Sequence, residues 1–94
     1  MNVNCIRINI NDNVVTLIKN IVVGDKLLGA NVPGGIISLN DLQLGHKIAI
    51  QTIKTGEKVI KYGEIIGYAS IDIIAGEHVH THNVLSGRGR GDLE

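Results

Sequence analysis

The chain has 94 residues, 44% of them hydrophobic and 2% aromatic, with neither Phe nor Trp, so one small domain must build its core from Ile, Val and Leu. Nine basic and nine acidic residues give a formal net charge of zero, which argues against a nucleic-acid or anionic-membrane partner. No apolar run reaches membrane-spanning length, the start lacks a signal-peptide core, and the single Cys5 excludes an internal disulfide; together these point to a cytoplasmic protein.

Branched aliphatic residues favour strands, and the chain reads as all-β. Alternating polar and apolar residues predict an opening strand over residues 3–10, ended by Asn11-Asp12-Asn13, with Cys5 as a small apolar residue inside it. Residues 14–18 resume a strand or make a short bend. Next, Ile21-Val22-Val23-Gly24-Asp25-Lys26-Leu27 joins two apolar runs through a turn glycine. Nearly the same phrase returns as Ile53-Lys54-Thr55-Gly56-Glu57-Lys58-Val59 and as Ile73-Ile74-Ala75-Gly76-Glu77-His78-Val79. In each, the Gly-[Asp/Glu] pair sits where a tight turn needs a residue without a Cβ penalty, so Asp25, Glu57 and Glu77 read as turn carboxylates. These repeats are too few and too unevenly spaced for a solenoid; they suit the corners of a compact, irregular β fold. Residues 38–45 are expected to form one short helical turn, with Ser38 or Asn40 as cap and Gly45 as stop. Further strands are predicted at residues 46–50, 58–62 and 64–70. The domain is expected to end at residue 85, and the Gly-, Arg- and Asp-rich tail 86–94 to be flexible.

The densest chemistry lies in Gly76-Glu77-His78-Val79-His80-Thr81-His82-Asn83, where three of the four histidines stand at every second position. On a strand, His78, His80 and His82 would share one face. Three readings stay open from the spacing alone. Imidazoles ligate metals, although a straight row cannot close round one ion and needs groups from elsewhere. They also bind carboxylates and move protons near neutral pH, or simply face solvent. Lys61-Tyr62-Gly63-Glu64 is the second candidate: Lys61 could pair with a substrate carboxylate, and Gly63 allows a sharp turn or a close backbone approach. His46 opens a strand, and Asn83 could turn the chain just after the row.

Three phrases, taken in order, resemble a known family: Leu44-Gly45-His46-Lys47-Ile48-Ala49, the run from Thr55 through Lys61-Tyr62-Gly63-Glu64 to Gly67, and Ile74-Ala75-Gly76-Glu77-His78-Val79-His80-Thr81-His82-Asn83. Together they look like the SAF domain of the altronate and galactarate dehydratases, over roughly residues 12–84. The resemblance implies a β-clip fold with at most one or two short helical turns. In that family the domain either leads a long hydro-lyase chain or stands alone as a small subunit, as in altronate dehydratase and sulfolactate sulfo-lyase. It further implies a divalent metal, iron or manganese, shared with a large catalytic subunit, and an acidic hydroxy-acid substrate. Carried onto this sequence, it implies metal ligation by His78, His80 and His82, and catalytic roles for His80 and His82. Substrate contacts fall to His46, Lys61, Tyr62, Gly63 and Asn83. The isolated chain is then expected to be inactive alone, with self-association possible. The rival expectation is a non-catalytic SAF binding module, of the kind also found in sialic-acid synthases, antifreeze proteins and flagellar chaperones.

Overall fold

The computed structural model describes residues 3–86, and the expectation for the tail beyond them falls outside the described residues. Seven strands form: β1 (Cys5–Ile6), β2 (Val14–Leu17), β3 (Lys47–Ala49), β4 (Lys58–Lys61), β5 (Glu64–Ala69), β6 (His78–Val79) and β7 (Val84–Ser86). They pair antiparallel in two sheets, ordered β1-β2-β3-β6 and β4-β5-β7. No helix occurs among the described residues, so the all-β expectation holds.

The central strands of the first sheet, β2 and β3, bury residues on both sides, because neighbouring side chains serve different cores. Val15 and Leu17 of β2 join Ile48 of β3 and Cys5, Ile21, Leu27, Ile36 and Ile50 in one cluster. Val14 and Ala49 instead join Ile53, Val59, Ala69, Ile73 and Val79 in a second cluster, which also receives the inner face of the second sheet. The alternation of a pleated strand therefore sets which core each residue enters. Each fully buried Ile or Leu contributes about 1.5–3 kcal/mol, which lets a chain without Phe or Trp hold together. Cys5 lies in the first core as an apolar residue, and burial pushes its thiol pKa up.

The repeated turns are the corners of this fold, and the structure has four of them rather than three. Residues 42–48 repeat the pattern of residues 21–27, 53–59 and 73–79, with Gly24, Gly45, Gly56 and Gly76 all at φ between 85° and 95°. The corners meet in pairs: isolated antiparallel bridges join Ile21 to Leu42 and Ile53 to Ile73. Three corners close themselves through the acid after the glycine. Val22 N donates to Asp25 Oδ2 at 3.0 Å, Lys54 N to Glu57 Oε1 at 2.7 Å, and Ile74 N to Glu77 Oε1 at 3.1 Å. A second tie comes from the facing corner: Val23 N to Asp41 Oδ1 at 2.9 Å, Leu44 N to Asn20 Oδ1 at 2.9 Å, and Thr55 N to Asp72 Oδ1 at 2.8 Å. Asp25, Glu57 and Glu77 are thus turn carboxylates, in line with their repeated slot.

Three local expectations fail for identifiable reasons. The opening strand is only two residues long. Beyond Ile6, the Arg7 guanidinium donates to the carbonyls of Ile10, Asp12 and Asn31, and the buried Asp12 carboxylate accepts Asn9 N, which together curl the segment into a loop. The helical turn over residues 38–45 does not form. Ser38 Oγ donates to Asn40 O at 2.7 Å and Leu42 is drawn into its bridge with Ile21, so the segment stays extended and ends in the second corner. Finally, the histidine row is not one strand, because β6 stops at Val79 and the chain turns through residues 80–83.

A histidine cluster at the end of a strand pair

The site starts from the register of β3 and β6, where Lys47 faces Val79 and Ile48 faces His78. One step beyond this ladder His46 falls opposite His80. Paired residues share a face of the sheet, so His46, His78 and His80 emerge on the same side, next to Ile48. His46 is held by the second corner, where Gly45 N donates to Leu17 O and Leu17 N to His46 O, at 2.8 and 2.9 Å. His78 is held from the loop between the first two corners, since its N–H donates to Asn40 Oδ1 at 3.2 Å. Asn83 shapes the rest: Nδ2 donates to His78 O at 2.8 Å and Oδ1 accepts His80 N at 3.0 Å.

These ties bring the rings together. His46 Nδ1 lies 3.1 Å from His78 Nε2, and their centroids are 5.0 Å apart in an edge-to-face arrangement. The His78 and His80 rings stack at 5.4 Å, and His46 is 5.8 Å from His80. One ring nitrogen from each of His46, His78 and His80 falls within 4.8 Å of the others. His82 stands outside this triad, its ring 5.4 Å from that of His78 and open to solvent. The close set therefore differs from the expected row: His46, from a different corner, takes the place foreseen for His82. The end of the row bends because Asn83 recaptures the chain. Asn83 itself is fully buried with both ends of its amide engaged, so its contribution is to shape the loop.

Electrostatically the cluster is one-sided. Partial burial, followed by the charges of His46, His82, His80 and Lys47, pushes the His78 pKa down to about 4. His78 is therefore a neutral imidazole at neutral pH, with a lone pair to share. The second candidate lies at the β4–β5 hairpin, where Tyr62 and Gly63 both have positive φ, 58° and 75°, as a type I′ turn requires. Lys61 Nζ stacks over the Tyr62 ring at 4.6 Å, and Gly63 N donates to Asp12 Oδ1 at 2.7 Å. Lys47 connects the two regions, since it bears on His78 and is itself influenced by Lys61 and Tyr62. Sequence reasoning missed Lys47, Asn40 and the fourth corner. The signal was present: Leu42-Gln43-Leu44-Gly45-His46-Lys47-Ile48 matches the other three phrases except that His46 replaces the acid.

The arrangement is that of an all-β domain that displays imidazoles at an open strand end. Its sequence matches the altronate/galactarate dehydratase SAF domain over residues 3–87, and the chain belongs to that family. It is 44% identical over 78 residues to altronate dehydratase of Bacillus subtilis (strain 168), a match covering 83% of this chain and 15% of that relative. Similarity to galactarate dehydratase (L-threo-forming) of Escherichia coli (strain K12) is 36% over 66 residues, covering 68% of this chain and 12% of the relative. A (2R)-sulfolactate sulfo-lyase subunit alpha from Paracoccus pantotrophus is 51% identical over 43 residues, which cover 46% of this chain and 64% of that subunit. The chain thus spans only a small part of the length of the dehydratases it matches.

Proposed function

We propose that this chain is the small domain or subunit of a lyase that eliminates water from an acidic hydroxy compound of the altronate or galactarate class, at a site completed by a larger chain. The observation that carries the reading is the His46–His78–His80 triad on an open surface. Shallow concavities of about 360, 380 and 330 Å³ lie elsewhere, and none is lined by a histidine. An exposed triad needs a second wall before it can exclude water around a substrate.

One pair of the donor set has the spacing of two ligands on a divalent ion. Nitrogens about 2.1 Å from one metal stand about 3.0 Å apart at right angles and about 3.4 Å apart in a tetrahedron. The His46 Nδ1 to His78 Nε2 separation of 3.1 Å falls within that span. His78, kept neutral, has the ligating form at neutral pH, and three imidazoles suit iron, manganese or zinc. A bound divalent ion would supply charge stabilisation at the carboxylate side of the substrate. The chain's own residues hold and orient. Ring nitrogens of His46, His78 and His80 lie within 4.8 Å of one another, Asn83 and Asn40 fix their backbone, and Lys61 offers a cation to the substrate carboxylate. Elimination breaks a C–H bond next to the carboxylate and a C–O bond one carbon further on, so it needs a base and an acid. His82, free of the triad and exposed, is the imidazole of this chain available to move one of those protons. The remaining catalytic group falls to the larger chain. On this assignment the active assembly belongs among cytoplasmic sugar-acid enzymes.

The 64% coverage of a sulfo-lyase alpha subunit supports a second reading, in which the leaving group is sulfite. The deciding experiment reconstitutes the chain with its large genomic neighbour and screens hexonates, hexarates and sulfolactate. Turnover should need both chains, and His80→Ala should lower it by about a hundredfold or more. Robust turnover by this chain alone would refute the shared site. Full activity of the His80→Ala assembly would instead favour a non-catalytic binding module.

A further inference from the structure

The chemistry around Lys47 is not used up by the histidine triad. Lys47 and Ala49 alternate onto the face opposite His46 and Ile48, and Ala49 lies in the second core together with Val59 of β4. Lys47 therefore sits at the rim of that core, and Lys61, two residues beyond Val59, reaches the same rim from β4. Both lysines are half-buried. Among the described residues the one ion pair joins Lys54 to Asp72, so neither Lys47 nor Lys61 has a carboxylate partner. Glu64 faces Lys61 across the β4–β5 hairpin without forming an ion pair, so the two ammonium groups at the rim have no carboxylate in direct contact.

A second observation concerns the hairpin. Tyr62 holds φ at 58°, in the left-handed region that non-glycine residues rarely adopt. The turn persists because its neighbours over-determine it: buried Asp12 receives Gly63 N at 2.7 Å, while the Asn13 amide receives Ile60 N and donates to Lys58 O, both at 2.8 Å. A buried carboxylate thus braces the tip that carries Lys61 and Tyr62. Local strain so supported is a device for presenting a side chain in a fixed place.

The geometry points to a carboxylate-binding subsite made by Lys47 and Lys61, with the Tyr62 hydroxyl beside them, wrapped around the same strand end as the triad but on its other face. It rests on the proposed acidic hydroxy-acid substrate and adds the residue that anchors the acid group, Lys47, which lies next to His46 in the chain. Two ammonium groups that repel one another in the empty site are relieved by one carboxylate, so the subsite favours an acid over a neutral polyol of the same size.

The test uses the metal-free chain with tartrate as the probe, followed by amide NMR, and erythritol as the neutral counterpart. Tartrate should give saturable shifts at Lys47, Lys61 and Gly63, whereas erythritol should give none. Lys47→Gln and Lys61→Gln should each weaken tartrate about tenfold, because each removes a charge-assisted hydrogen bond, while Lys26→Gln, in the matching slot of the first corner, should leave it unchanged. Equal affinity in all three variants, or shifts confined to other residues, overturns the subsite. Manganese broadening of His46, His78 and His80 is recorded separately on the same samples. Broadening without a tartrate response at the two lysines removes the subsite and spares the triad; the reverse result removes the triad and spares the subsite.

Discussion

His46 and His78 meet at 3.1 Å across 32 residues of sequence, and each stands where its corner departs from the repeated pattern. The slot after the glycine holds Asp25, Glu57 and Glu77 in three corners but His46 in the second. The next slot holds Lys26, Lys47 and Lys58 but His78 in the fourth. The second corner keeps the backbone of the others, with His46 N donating to Gln43 O at 3.4 Å, yet its side chain turns to the neighbouring imidazole instead of closing the turn. Two exceptions to a structural rule, brought into contact by the fold, mark a site more sharply than either would alone.

Metal affinity should follow the triad and not the row. His46→Ala and His78→Ala are each expected to weaken manganese or zinc binding by about a hundredfold or more, because each removes one of three ligands. His82→Ala should alter affinity little while still lowering turnover of the reconstituted assembly. Calorimetric titration of the three variants decides this, and an equal loss at His82 would restore the straight-row arrangement.

Asn83 should matter for stability as well as for the site. Asn83→Ala strands the His78 carbonyl and the His80 N–H in a buried turn, at a cost of about 2–3 kcal/mol, or a fall of about 10–20 °C in Tm for a domain of this size. Asn83→Asp keeps the acceptor for His80 N but sets a buried carboxyl against the His78 carbonyl, so its thermal midpoint should also fall below wild type.

Acid should weaken the fold through His78. Its folded pKa, about 4, lies below the unperturbed 6.5, so between those values the unfolded chain binds more protons than the folded one. Stability is therefore fully present above about pH 6.5, declines as pH falls towards 4, and changes no further from this group below that. The groups that face the ring are His46, His80, His82 and Lys47. Because solvent reaches the ring, the effect should be about 1 kcal/mol. Urea unfolding at pH 7 and pH 4.5 should show a smaller difference for His78→Gln than for wild type; an unchanged difference would exclude His78 as the source.

The four corner glycines should not tolerate alanine equally. Gly24 and Gly76 share the same backbone, φ 94° and 95°, but a Cβ at Gly24 meets nothing whereas one at Gly76 would collide with the Ile37 carbonyl oxygen. Gly24→Ala should cost about 1–2 kcal/mol from the backbone alone. Gly76→Ala should cost more, and should also displace His78, two residues on. Thermal melts of both variants would settle the difference.

Much of this was legible in the sequence because it follows from short-range rules. Alternating Ile and Val predicted β2 and the β3, β4 and β5 segments to within a residue or two at each end, and the glycine-acid pairs predicted three corners. What was missed depended on partners distant in the chain. The strand of residues 3–10 broke because Arg7 found carbonyls at Asp12 and Asn31. The turn at residues 38–45 stayed extended because Asn40 was taken by His78 and Leu42 by Ile21. The alternation of histidines draws attention to residues 78–82, yet no spacing rule could bring in His46, whose place beside His78 is set by the β3–β6 register.

The tie from Asn20 to Leu44 N has a consequence for how such a domain can change. The second corner lacks a closing carboxylate of its own and is held from the first corner instead. The side chain after its glycine is thereby released from structural duty and can be exchanged without loosening the turn. The first two corners brace one another, through Asn20 and Asp41, and that mutual support leaves the slot after Gly45 free to carry an imidazole.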